Sequence, residues 1–175
     1  MNNPRHGCVS LVPATDADVA DDLIDARDFY LANLVEAGLP PSVAERTADE
    51  AFAQSFPGGR PAAGHRVFCA EHGGEKAGLL RIGPQSTEQP DRRWVWDIVI
   101  SKAFRGQGLG RQVMLLAEIE ARARGAVELG LNVFAHNTVA VNLYQSLGYE
   151  MTSSQHRRQA DGSLPAGSHP SRQCR

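Results

Sequence analysis

Apolar residues recur every three or four positions in four segments of the chain, and this spacing predicts four helices. The predicted helices are residues 16–38, 42–55, 109–124 and 136–148. Thr15 or Asp16 is placed to cap the first helix, and Asn137 is placed to cap the last. Ser42 is followed three residues later by Glu45, which is the spacing of a capping box at the start of the second helix.

Short runs of β-branched and aromatic residues lie between these helices and predict strands. The predicted strands are residues 8–12, 65–71, 76–82, 94–100, 127–135 and 149–156. The sequence His-Gly-Gly-Glu at residues 72–75 predicts a turn, and hence an antiparallel hairpin between the second and third strands. Residues 83–93 are polar and predict a loop. Residues 94–100 are apolar at both alternating positions apart from Asp97, which predicts a strand buried on both faces.

The order of these elements indicates an α+β (mixed α/β) fold: a largely antiparallel central sheet flanked by helices. A helix separates strands 94–100 and 127–133, and this order predicts one parallel crossover. Residues 1–156 are expected to form a single domain. Residues 157–175 are rich in polar, Gly, Pro and Ser residues, which predicts a flexible C-terminal tail.

Composition and charge narrow the classes of function. The chain has 175 residues and a formal net charge of −2, without the basic excess that draws proteins to nucleic acid or anionic membranes. No apolar run is long enough for a transmembrane helix, and the N-terminus lacks the apolar segment of a secretory signal. The three cysteines, at positions 8, 69 and 174, have no metal-ligand spacing, so we expect no metal and a cytoplasmic protein.

The segment Arg105-Gly106-Gln107-Gly108-Leu109-Gly110-Arg111 carries the strongest chemical signal. It lies between a predicted strand and a long predicted helix, and its glycines allow the backbone to approach a ligand closely. The free N–H groups at the start of a helix attract anions, so the segment predicts a phosphate site. It is not a Walker loop, because no Gly-Lys-Ser/Thr follows. Its G-x-G-x-G spacing also departs from the dinucleotide fingerprint, which argues against a Rossmann-type protein.

Arg105-x-x-Gly108-x-Gly110 resembles the pyrophosphate loop (R/Q-x-x-G-x-G/A) of the GNAT superfamily of N-acetyltransferases. A second run, Asn137-x-x-Ala140-x-x-x-Tyr144-x-x-x-Gly148-Tyr149, resembles that superfamily's downstream signature. The two motifs and the elements between them follow in the superfamily's order over residues 94–152. We therefore expect a GNAT-like fold in which the strand before the loop splays away from the next, parallel strand over residues 97–101.

The resemblance implies acetyl-CoA as the acyl donor. The main-chain N–H groups of residues 107–111 would hold the pyrophosphate, with help from Arg105 and Arg111. The main-chain groups of Ile98 and Ile100 would pair with the pantetheine amides. The N–H of Val99 or Ile100 would polarise the thioester carbonyl. The donor-binding residues implied in this way are Ile98, Val99, Ile100, Arg105, Gly106, Gln107, Gly108, Leu109, Gly110, Arg111, Asn137 and Tyr144.

The resemblance also places Tyr144 near the sulfur of acetyl-CoA, where a phenol can protonate the departing thiolate. Asn137 matches a residue that contacts the pantetheine, and its other role is to cap the helix. Asp97 is the first candidate for the base that deprotonates the amine, with an equal alternative as a structural acid. His136 and Glu71 are the reserve candidates for this base.

These assignments predict an enzyme that moves an acetyl group from acetyl-CoA to a primary amine of a small molecule or peptide. Direct attack in a ternary complex is favoured, because no cysteine lies in either motif. The alternative is a non-catalytic, acyl-CoA-binding or regulatory module, against which the presence of Tyr144 argues. Many proteins of this superfamily dimerise, so a homodimer is an open alternative. The acceptor amine has no recognisable signature in the sequence.

Overall fold

The computed structural model describes residues 7–152, apart from the side chains of residues 22–25 and 90. The strands are β1 (Ser10–Pro13), β2 (Arg66–His72), β3 (Glu75–Ser86), β4 (Gln89–Ile100) and β5 (Glu128–Leu131). The helices are α1 (Asp16–Glu36), α2 (Pro41–Ser55), α3 (Leu109–Ala123) and α4 (Thr138–Ser146). Single 3₁₀ turns lie at Pro57–Gly59 and Lys102–Phe104. Within the described part of the chain, no helix has the length and apolar character needed to cross a membrane.

The five strands form one sheet in the order β1-β2-β3-β4-β5. The first four strands are antiparallel, and only β4 and β5 run parallel. A parallel pair requires a crossover, and α3 supplies it. The expected α+β fold, with a mostly antiparallel sheet and one parallel pair, is therefore confirmed.

The helices cover both faces of the sheet. On one face, alternate residues of β2, β3 and β4 pack against α3 and against Tyr144 of α4, which gives the largest core cluster. The buried side chains of α3 are Leu109, Val113, Met114, Ala117 and Ala121. On the other face, Val67 and Leu79 pack against Val19 of α1 and Phe56. A third cluster joins α1 to α2 through Leu34, Ala44 and Ala48.

The helix starts follow the predicted caps at two of three places. Thr15 caps α1 through a capping box with Asp18, and Asn137 caps α4 by accepting from the N–H of Ala140 at 3.2 Å. The predicted capping box at Ser42 is wrong, because α2 begins at Pro41. Proline is well suited to the first helical position, since its missing N–H would have no helical partner there.

The predicted loop at residues 83–93 is also wrong. β3 continues to Ser86 and β4 begins at Gln89, so the two strands form a long hairpin with only Thr87 and Glu88 between the paired ends. The polar residues of this segment obtain main-chain hydrogen bonds from the neighbouring strand, which the local sequence pattern does not reveal.

The C-terminal strands are shorter than predicted. β5 covers four residues, where the sequence suggested residues 127–135. Residues 149–152 do not form the predicted last strand. The rest of that predicted strand and the proposed tail at 157–175 lie outside the described residues.

Candidate functional site

The parallel strands β4 and β5 separate in the middle of β4. Their last paired residues are Val95 and Leu131, whereas β4 stays paired with β3 as far as Ile100 and Gly78. We call the gap between residues 96–100 and the chain that follows Leu131 the β4–β5 fork. The splay expected from the sequence is therefore present, and it begins at Trp96, one residue before the predicted position.

The main-chain groups of Ile98 and Ile100 face the fork. The N–H of Ser101 donates to the carbonyl of Ala77 on β3 at 2.8 Å. Successive residues of a strand direct their main-chain groups to opposite edges, so Val99 also faces β3 and its two neighbours face away from it. Nε of Arg105 donates to the outward carbonyl of Ile100 at 2.9 Å. The fork thus has an open strand edge that an extended ligand can pair with.

The glycine-rich loop ends at the first residue of α3, beside this edge. Gly106 and Gly108 have φ values of 76° and 77°, in the left-handed region that side chains disfavour. Gly108 is the N-cap of α3 and offers no side chain to the helix. The N–H of Gln112 is the first to donate within the helix, to the carbonyl of Gly108 at 3.4 Å. The preceding N–H groups, residues 109–111, are thus left for an anion.

The polar side chains of the loop make bonds within the protein. Arg111 contacts Oγ of Ser146 at 2.5 Å and ties the first turn of α3 to the end of α4. Nε2 of Gln107 donates to the carbonyl of Ala103 at 3.2 Å. The predicted anion site therefore consists of main-chain N–H groups. Arg105 and Arg111 lie beside it, each bonded to another part of the protein.

Tyr144 lies on α4, in the core between α4 and α3. It is 8% exposed, and its burial raises the pKa of the phenol. The hydroxyl therefore stays protonated at neutral pH and can act as a donor. The ring of Tyr149 lies 6.0 Å from that of Tyr144. Asn137 caps the same helix, which is one of the two roles expected for it from the sequence.

Asp97 is bonded to a buried arginine. Nε of Arg81 on β3 donates to Oδ2 of Asp97 at 2.5 Å, and the side chains are 4% and 24% exposed. Nη1 of Arg81 also lies 3.3 Å from Nδ1 of His65. Burial and the positive charge of Arg81 lower the pKa of His65 to about 4, so this imidazole is neutral at pH 7.

The two reserve residues for the base lie in different places. His136 follows β5, and its Nε2 lies 2.9 Å from Oδ1 of Asn33 and 3.5 Å from a carboxylate oxygen of Glu36, both on α1. Glu71 lies on β2, paired with Ser10 and Lys76 and separated from β4 by β3. The structure brings Asp97 to the fork and leaves Glu71 two strands away.

Arg81 and His65 are not among the site residues predicted from the sequence. Arg81 stands in the apolar strand segment at residues 76–82, where a charged residue is costly unless it has a partner. The position of Arg81 in this apolar segment was the signal from which a buried ion pair could have been predicted. The partner became identifiable only from the strand register, which pairs Arg81 with Asp97.

Candidate metal ligands are dispersed in the structure. Over residues 7–152, no three His, Cys, Asp or Glu side chains come close enough together to hold a metal ion. Cys8 is exposed and Cys69 is buried in β2, and neither forms a disulfide.

Comparison with known proteins identifies the family of this fold and site. The chain is 29% identical over 137 residues to the uncharacterized N-acetyltransferase YdgE of Bacillus subtilis (strain 168), covering 78% of this chain and 87% of that protein. A crystal structure of a putative acetyltransferase, YycN of Bacillus subtilis, superposes with a TM-score of 0.78 at 24% identity over 86% of this chain and 98% of that one.

A more distant structure has the same fold. It is the aminoglycoside N-acetyltransferase AAC(6')-Iy in complex with CoA, with a TM-score of 0.52 at 16% identity over 91% of this chain and 99% of that one. The sequence profile of the acetyltransferase (GNAT) family matches residues 17–149, which is most of the chain and contains the fork, the loop and Tyr144. The protein therefore belongs to the GNAT family of acetyltransferases.

Proposed function

We propose that the protein transfers an acetyl group from acetyl-CoA to a primary amine by direct attack in a ternary complex. The observation that carries this proposal is the β4–β5 fork, whose open strand edge leads to the free N–H groups at the start of α3. An elongated ligand that has amides along its length and phosphates at one end matches both features. The family membership and the N-acetyltransferase relatives agree with this assignment.

The residues at the fork suit CoA. Main-chain N–H groups from Gln107 to Arg111 would bind the pyrophosphate, and the left-handed glycines keep side chains away from it. The outward main-chain groups of Ile98 and Ile100 would pair with the pantetheine. Of the two N–H groups proposed for the thioester carbonyl, that of Ile100 is favoured, since Val99 faces β3. Acetyl-CoA, when bound, supplies an activated acetyl group.

Tyr144 is the proposed acid of the reaction. Its phenol stays protonated because burial raises its pKa, so it can donate a proton to the departing thiolate. Asn137 caps α4 and thereby fixes the helix that carries this phenol. Asn137 would also contact the donor from this position at the N-terminus of α4.

Asp97 is the proposed proton acceptor on the other side of the fork. Its side chain is partly exposed. It bonds to Arg81, which packs on Phe56 on the face of the sheet that α1 and α2 cover. The bond from Arg81 takes one of the four acceptor positions of the carboxylate. The other positions can accept the proton of an ammonium, which is then passed on to solvent after each transfer.

The first test is calorimetric titration of the purified protein with acetyl-CoA, using NAD and ATP as controls. Selective binding of acetyl-CoA is expected, followed by release of free thiol when a suitable amine is added. Binding without thiol release over a broad set of amines would favour a non-catalytic acyl-CoA-binding module. Absence of acetyl-CoA binding would contradict the proposal.

A further inference from the structure

We call the face of the fork on which Asp97 stands, where the amine would bind, the acceptor side. On this side β4 carries an irregularity. Arg81 pairs with Asp97 and Ile82 pairs with Val95, so Trp96 is an extra residue in β4. Such a bulge turns two neighbouring side chains to the same face of a sheet. Trp96 and Asp97 both contact Arg81, which agrees with this orientation. A large aromatic ring and a carboxylate therefore stand side by side where the fork opens.

The cation in this cluster is buried and the anion is partly exposed. The guanidinium of Arg81 lies between the rings of Phe56 and Trp96, 4.7 Å and 5.5 Å from their centroids. Its side chain is 4% exposed, compared with 24% for Asp97. An incoming molecule therefore meets the negative partner of the ion pair, and this charge is complementary to an ammonium group.

Aromatic rings continue from this cluster along the acceptor side of the fork. Phe56 stacks on Phe52 at 6.0 Å, Phe52 contacts Tyr30 at 6.4 Å, and Tyr30 contacts Phe134 at 6.1 Å. Phe134 follows β5, so the row begins on one strand of the fork and ends beyond the other. We call Trp96, Phe56, Phe52, Tyr30 and Phe134 the aromatic belt.

Trp96 is the most accessible ring of the aromatic belt. It is 38% exposed, whereas the other four rings are half-buried. Its indole N–H donates to the carbonyl of Pro84 at 3.3 Å, and His65 packs on the ring at 5.2 Å. These contacts fix the plane of the indole, so a ligand can stack on it without ordering a flexible side chain.

We infer that the acceptor is a primary amine carried on a flat aromatic body, and that Trp96 determines this specificity. The ammonium group would lie against Asp97 and the ring against Trp96 and the aromatic belt. The inference rests on the proposed acetyl transfer and adds the class of acceptor. A polyamine would use the carboxylate but leave the exposed aromatic surface without a partner.

The inference is tested with two primary amines and with acetyl-CoA as the donor. The amines are 2-phenylethylamine and n-propylamine, which carry a phenyl ring and a methyl group, respectively, on the same aminoethyl chain. We expect kcat/KM to be higher for 2-phenylethylamine by about tenfold or more. Trp96→Leu should bring the ratio of the two kcat/KM values close to one, and Trp96→Phe should restore most of the ratio. Phe29→Leu is the matched control, because Phe29 is an aromatic residue of α1 that is 54% exposed and outside the aromatic belt.

Binding is measured separately by fluorescence. The chain has two tryptophans, so Trp94→Phe leaves Trp96 as the only indole. Titration of this variant with 2-phenylethylamine should give a saturable change in emission, even without acetyl-CoA. Equal kcat/KM for the two amines, or the absence of a saturable change, would overturn the inference while acetyl-CoA binding upholds the proposed function. Loss of acetyl-CoA binding in the wild type would overturn both.

Discussion

Nε of Arg81 lies 2.5 Å from Oδ2 of Asp97 and joins neighbouring positions of β3 and β4. The guanidinium is buried against the rings of Phe56 and Trp96, and the partly exposed carboxylate stands at the opening of the fork. Arg81 therefore orients Asp97 on the acceptor side, and the aromatic rings shield its cation from solvent. The ion pair links the stability of this part of the sheet to the chemistry proposed for Asp97.

Replacing Asp97 by Asn tests its role as proton acceptor. The rising limb of the pH profile of kcat/KM should move to higher pH, because the amine must then lose its proton to solvent before it binds productively. Asn keeps the size of the side chain and can still accept a hydrogen bond from Arg81. Glu71→Gln, which removes a carboxylate on β2, is the control and should leave the profile unchanged. An unaltered profile with a lower Tm for Asp97→Asn would make Asp97 purely structural.

A double-mutant cycle measures the ion pair itself. Asp97→Ala leaves a buried guanidinium without its partner, and the free energy of unfolding should fall by roughly 3–5 kcal/mol. Arg81→Met keeps an extended side chain between Phe56 and Trp96 and leaves a partly exposed carboxylate, so its cost should be smaller. Chemical denaturation of the double variant should show less than the sum of the two losses. Strict additivity would mean that the contact contributes no coupling energy.

Replacing Tyr144 by Phe should lower kcat by roughly 10²-fold or more and leave the KM for acetyl-CoA nearly unchanged. The variant keeps the ring in the core and removes only the hydroxyl proposed to protonate the thiolate. Tyr149→Phe is the matched control, since the hydroxyl of Tyr149 donates to Glu118 at 3.4 Å and has no proposed catalytic role. Steady-state kinetics of both variants should separate the two tyrosines, and equal kcat values for Tyr144→Phe and the wild type would exclude Tyr144 as the acid.

The sequence predicted best those elements whose signals are local. The glycine pattern around Gly108 and the cap at Asn137 depend on residues a few positions apart, and α3 and α4 lie where these signals place them. The fork was expected only because the two motifs resemble those of the GNAT superfamily. The bulge at Trp96 and the partner of Asp97 depend on the register between β3 and β4, which hydrophobic periodicity does not encode. The hairpin at residues 83–93 was missed for the same reason, because its polar residues are satisfied by pairing across strands.

Replacing Gly108 by Glu tests the anion site. Apart from the adjoining backbone, no atom lies within 4 Å of a Cβ built at Gly108, so the added carboxylate would extend into open space next to the free N–H groups of α3. It should abolish acetyl-CoA binding by repelling and displacing the pyrophosphate. Gly125→Glu is a matched control, because Gly125 at the other end of α3 has a similar φ of 73° and equal space. Both variants should lose similar stability, and calorimetry should show a binding defect only for Gly108→Glu. Retained affinity there would contradict the assignment of the loop.

The half-buried imidazole of His65 should make the protein less stable in mild acid. Its pKa is lowered from 6.5 to about 4 by burial and by Arg81, and Arg93 acts in the same direction while Asp97 opposes them. Between these two pH values the unfolded chain binds a proton at this residue that the folded protein does not, so the free energy of unfolding falls as the pH drops through this range. Urea unfolding at about pH 7 and about pH 5 should show a smaller pH dependence for His65→Gln than for the wild type. The ring-proton NMR signal of His65, assigned by its absence from the variant, should titrate near pH 4. A signal that titrates near 6.5, together with identical pH dependence of the two proteins, would mean that the imidazole is not held beside Arg81 in solution.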